Sequence, residues 1–199
     1  MKYDYTKGNL RKNIVLLGLP MAMEMTLLST YNLVDIFFIS SIGEHAVAAV
    51  GLSGAILLIP ISISIGMCKS ISILISRRIG EKNLEKACQI LGHTFWIAIL
   101  SGITLGLIGG MFSEYFLALL GGSKHVIKTG KIYLQQRLFW LFTGNLLFSL
   151  NTCLRSAGNA KTALSMLTIT NIINIILDPI LIFGFGSIPS YGIKGAAYA

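Results

Sequence analysis

The sequence predicts an all-α, polytopic membrane helix bundle. Three observations carry that prediction. Of 199 residues, 54% are hydrophobic and only 12% charged, about half the charge of an average soluble protein. Mean hydropathy is +0.74. The basic residues cluster between long apolar runs rather than along them. At about 20 residues per crossing, the chain holds five or six spans.

Each span follows from an apolar run and its punctuation. Span 1 covers about Asn13–Ile39, span 2 about Val47–Ile75 and span 3 about Ile90–Phe112. A short interfacial helix is predicted over Glu114–Leu120. Gly121-Gly122 ends it and Ser123 caps the next helix. Span 4 covers about Lys131–Leu154 and span 5 about Ala163–Phe183, and a sixth begins near Ile193. Pro20, Pro60 and Pro179 fall inside spans 1, 2 and 5, where they free carbonyls and allow bends. Gly51, Gly54 and Gly66 in span 2 suggest close helix contact.

The first run could be mistaken for a signal peptide, with Ala46-Val47-Ala48 as its cleavage site. It is too long and carries Glu24 and Asp35, so it reads as a retained span. The net charge of +8 raises nucleic-acid binding. The positions argue instead for membrane orientation. Lys2, Lys7, Arg11, Lys12, Arg77, Arg78, Lys82, Lys86, Arg155 and Lys161 gather on one side. At most Lys124, Lys128, Lys131, Arg137 and Lys194 lie on the other. That asymmetry places the N-terminus in the cytoplasm of a plasma-membrane protein. Cys68, Cys88 and Cys153 match no disulfide or zinc spacing. His45, His93 and His125 form no catalytic spacing, and Gly158–Thr162 lacks the glycine before Lys161 that a phosphate loop needs. No enzyme signature and no cofactor are expected.

Carboxylates inside apolar helices are the informative residues, because each costs about 2.5–3.5 kcal/mol at mid-membrane. Span 5 places Thr170, Asn174 and Asp178 at i, i+4 and i+8, with Asn171 beside them. Pro179 cannot bond the Ile175 carbonyl. These hard oxygen ligands suit Na⁺, or a proton on the carboxylate. Span 1 carries a second stripe of Glu24, Tyr31, Asn32 and Asp35. If the two spans face each other, Asp35 and Asp178 share a site able to load and release a proton.

Several segments then resemble one family. Pro20, Asn32–Asp35, Gly43 and Ala48–Leu52 resemble the first signature of multidrug and toxic compound extrusion (MATE) transporters. Ser76–Asn83, Leu154–Asn159, Asn174–Pro179 and Gly192–Ala197 resemble its later loops and helices. The resemblance implies a two-lobed secondary antiporter that exchanges H⁺ or Na⁺ for organic, often cationic, drugs in the lipid bilayer. In its DinF-like branch, the implied ion site falls on Asp35, Asn174 and Asp178, as a proton or Na⁺ site. Tyr133 and Asn151 are the implied polar partners. Glu24, Tyr31, Asn32, Thr170 and Asn171 are further candidates for the cavity lining. The chain then corresponds to the N-terminal lobe, and a second lobe, or a second copy, would complete the cavity. Two other readings stand beside this one: a lipid-linked oligosaccharide flippase of the same superfamily, or a truncated fragment that does not transport. Flippases line their cavity with basic residues, whereas the charges noted in spans 1 and 5 are acidic.

Overall fold

A computed structural model describes residues 9–186 and 188–198. Lys2 and Lys7, two of the orientation-setting charges, lie outside those residues. Among the described residues eight helices occur in order: α1 Leu10–Ser40, α2 Glu44–Gly80, α3 Leu84–Met111, α4 Ser113–Leu119, α5 Lys124–Phe139, α6 Leu141–Ser156, α7 Ala160–Phe183 and α8 Ile193–Tyr198. The described residues contain no strand, only an isolated bridge between Phe185 and Ile188.

Local chemistry sets the helix ends. Asn9, Asn83, Ser123 and Asn159 cap α1, α3, α5 and α7, each accepting a backbone N–H at 3.0–3.4 Å. The α2–α3 and α6–α7 turns share one design. Lys82 (φ 56°) and Gly158 (φ 80°) take the left-handed conformation. The asparagine after each donates its N–H back to the carbonyl of Arg78 or Leu154. Arg77 and Arg78 both bond Glu81, at 2.9 and 2.7 Å. Arg78 first, then Arg77, hold the Glu81 carboxyl below the usual carboxylate range. This exposed cross-link is therefore kept at neutral pH and lost only on strong acidification.

Among the described residues four helices are long and apolar enough to cross a membrane: Arg11–Ser40, Glu44–Gly80, Leu84–Met111 and Ala160–Phe183. The fourth predicted span departs from expectation in two ways. It begins at Lys124 rather than Lys131, and it is divided at Trp140 into α5 and α6, of 16 residues each. The division has a local cause. The Trp140 carbonyl accepts the Thr143 N–H at 3.0 Å and the Thr143 hydroxyl at 2.7 Å. The chain tightens there into an i→i+3 turn. The Trp140 N–H still reaches the Gln136 carbonyl, so α6 continues from α5. Pro20, Pro60 and Pro179 lie inside α1, α2 and α7 as expected.

α1 packs mainly on α7, and α3 on α6; α2 runs along α5 and α6. Small residues bring α3 close to its partners. Thr94, Ala98, Gly102 and Gly106 recur every fourth residue and are all buried. A Cβ at Gly102 would run into the Phe142 backbone, and one at Gly106 into the Leu138 carbonyl. This is the small-xxx-small contact of membrane helices. Gly51, Gly54 and Gly66 of α2, expected to serve that purpose, face open space instead. Gly102→Val is therefore expected to destabilise the bundle by about 1–3 kcal/mol. Gly92→Val, on the same helix but in open space, serves as control. Thermal unfolding followed by size-exclusion chromatography in detergent distinguishes the two.

α2 and α6 are joined by a polar ladder. Ser64 donates to Asn145 at 2.8 Å, Cys68 meets Ser149 at 3.5 Å, and Ser156 donates to Ser72 at 2.8 Å. Ser76 donates to the Ser156 carbonyl at 3.3 Å. The cysteines are free, with Cys68 and Cys153 buried as packing residues. The Ser76–Ser156 bond puts both Asn-capped turns at one end of the bundle. At the opposite end, His45 and His125 lie 5.0 Å apart. Most large apolar side chains of the four crossing helices point outward, as a lipid-facing bundle requires.

Candidate functional site

The α1–α7 contact brings the two predicted stripes together. Asp35 of α1 is 7% exposed, Asp178 of α7 is 0% exposed, and Tyr133 of α5 is 3% exposed. Asp35 and Asp178 lie close enough to interact electrostatically. Both also interact with Tyr133. Ile39, Ala46, Ile182, Ala196 and Ala197 pack with Tyr133 and wall this region with apolar side chains.

A fourth member, and the only cation among them, was missed in the sequence. Arg137 lies one turn beyond Tyr133 on α5, and its guanidinium acts on Asp35 and Asp178. It donates to the Tyr31 hydroxyl at 3.2 Å. Arg137 reads as a surface charge if span 4 is counted from Lys131. The signal was its i+4 spacing from Tyr133. A helix starting at Lys124 carries Arg137 about 20 Å inward.

Around these charges the polar atoms lack partners. Asp35 Oδ1, both Asp178 oxygens, both side-chain amide atoms of Asn174, Asn151 Oδ1 and Asn171 Nδ2 are buried without a hydrogen-bond partner among the described residues. Buried polar groups are nearly always paired, and each unpaired one costs about 1–3 kcal/mol. Asn171, Asn174 and Asp178 form one buried stripe on α7, and Asn151 adds an oxygen from α6, which packs beside it.

Three expected members sit elsewhere. Thr170 is exposed, and its hydroxyl returns to the Met166 carbonyl of its own helix at 2.9 Å. Asn32 is exposed and leaves the face that carries Asp35. An i+8 position on the same mean face still drifts around the helix, and here the drift moves it out of the cluster. Glu24 is buried but belongs to a separate contact. It accepts from Arg155 Nη1 at 2.6 Å, with side-chain exposures of 3% and 21%, and Arg155 also donates to Thr152 at 3.2 Å. Arg155, read as a loop charge, is thus the ion-pair partner that lets Glu24 stand inside α1.

Comparison with known proteins agrees with this architecture. The family model MatE matches residues 20–180. A protein of Shewanella oneidensis named FAD transporter is 33% identical over 92% of this chain and 40% of its own length. A probable multidrug resistance protein of Bacillus subtilis, YoeA, is 32% identical over 98% of this chain and 42% of its own. Among solved structures, a MOP-superfamily transporter from Pyrococcus furiosus superposes with a TM-score of 0.87 at 28% identity. It covers 98% of this chain and 42% of its own, and is described as having a binding pocket of reverse polarity. An outward-facing multidrug resistance MATE transporter superposes with a TM-score of 0.86 at 29% identity, over 96% of this chain and 42% of its own. The chain thus spans about two fifths of the length of these relatives. With a matching model across most of its length and relatives above 30% identity, the chain belongs to the MatE family, whose members are membrane transporters rather than enzymes.

Proposed function

We propose that this chain is the N-terminal lobe of a secondary antiporter that exports organic, often cationic, compounds in exchange for H⁺ or Na⁺. A second lobe, or a second copy, completes its cavity, with the N-terminus in the cytoplasm. The observation that carries the reading is the meeting of buried Asp35 and Asp178 with the half-buried Arg137, ringed by unpartnered amide and carboxylate atoms. Two ionised carboxylates and one guanidinium leave a net charge of −1. One proton or one Na⁺ neutralises the site. Asn174, Asn151 and Asn171 supply oxygens for a bare cation or hydrogen bonds for a protonated carboxyl. Either ligand changes the electrostatics between α1 and α7, and that change is the lever for alternating access.

Arg137 favours one second reading. A half-buried guanidinium offers a partner for an anionic substrate, and the Shewanella relative bears the name of an FAD transporter. Ethidium efflux from cells producing the intact protein tests both. The antiport reading expects efflux that stops with a protonophore or on Na⁺ removal, and that organic cations compete. Competition by flavin nucleotides alone would favour the anionic substrate.

A further inference from the structure

Two clefts succeed one another along the α5–α6 helical stripe, on a face the ion site does not use. The first holds about 550 Å³ and is almost wholly apolar, walled by Gly106 and Gly110 of α3 and by Gln135, Leu138 and Phe142. The second, one turn nearer the His45–His125 end, holds about 430 Å³. It is lined by Lys124, Lys128 and Lys131, with Glu114 and Ile127 beside them. Lys124, Lys128, Lys131, Gln135, Leu138 and Phe142 recur at i, i+4, i+7, i+11, i+14 and i+18, so charge passes into grease along a single stripe.

The charges are not balanced by ion pairs among the described residues. Glu114 pairs with Lys131 at 2.6 Å, and Lys124 and Lys128 have no ion-pair partner among the described residues. Below them, Leu107, Met111 and Phe139 are more than half exposed around the apolar cleft. From Ile103 to Met111 the groove runs about 12 Å along α3, most of one leaflet's half of a core about 30 Å thick. A purely apolar partner helix would bury the two free lysines, and a soluble anion would leave the groove uncovered.

We propose that this stripe binds an anionic phospholipid, in the leaflet at the end opposite Arg77 and Arg78. Its phosphate sits on Lys124 and Lys128, and one acyl chain lies in the groove between α3 and α5–α6. The lipid supplies the negative charge that the lysines lack and covers the apolar wall that α3 leaves open.

Native mass spectrometry of the intact protein, titrated with phosphatidylglycerol or with phosphatidylcholine of the same chains, tests this. Wild type is expected to retain phosphatidylglycerol in preference. Lys124→Gln with Lys128→Gln is expected to weaken that binding roughly 25-fold, about fivefold per lysine, and to erase the preference. Gly110→Leu is the second variant. A Cβ at Gly110 meets nothing within 4 Å and Gly110 lines the groove, so the added side chain is expected to occupy the groove and to lower retention of the lipid. Glycerophosphoglycerol, the free headgroup, is expected not to compete. Equal retention of the two lipids by wild type overturns the proposal, as does an unchanged preference in the double variant or full competition by the free headgroup. So does a groove closed to lipid by a second lobe or a second copy, seen as no lipid adduct in wild type.

Discussion

Asp178→Asn is expected to reduce ethidium efflux to the level of cells lacking the protein, with folded protein as abundant as wild type. Asparagine keeps the shape of the side chain but can neither take up a proton nor offer a full negative charge. The loss falls on coupling, not on folding. A neutral amide at this depth avoids the burial cost of a carboxylate, about 2.5–3.5 kcal/mol at mid-membrane, and the Asp178 carboxylate has no hydrogen bond among the described residues to lose. Abundance by detergent size-exclusion chromatography, measured beside efflux, separates the two effects. Normal efflux by the variant would remove Asp178 from the mechanism.

Arg155→Ala is expected to act in the opposite sense, lowering stability by about 3–5 kcal/mol, because it leaves Glu24 buried without its cation. The Glu24→Gln, Arg155→Gln double variant removes both charges and is expected to recover most of the loss. A double-mutant cycle on thermal unfolding measures the coupling. Equal, additive effects of the two single changes would mean that the pair observed between α1 and α6 contributes nothing.

The sequence made the helices legible because the apolar runs agree with their punctuation, as where Gly121-Gly122 ends one helix and Ser123 caps the next. The interfacial helix after α3 matches its expected place within one residue. What it did not show was tertiary. Only the approach of α3 to Leu138 and Phe142 reveals that Gly102 and Gly106, rather than the glycines of α2, form the close contact. Periodicity aligned Thr170 and Asn32 with their stripes, yet a few tens of degrees of helix rotation decide whether a side chain joins the Asp35 cluster or stands exposed outside it. Arg137 and Arg155 were read by their nearness to turns. Each is instead defined by a partner on α1, more than 100 residues away in the chain. Charge inside a membrane bundle is assigned by its partner across the helix interface, and that partner has no fixed spacing in the sequence.

The most direct test reconstitutes the intact protein in liposomes loaded with pH- and Na⁺-sensitive dyes and adds an organic cation to one side. Substrate movement in wild type is expected to drive a counterflow of H⁺ or Na⁺, and Asp178→Asn is expected to show neither movement. Substrate crossing without any cation counterflow, or counterflow that survives in Asp178→Asn, would contradict a coupling site built from Asp35, Asp178 and Arg137.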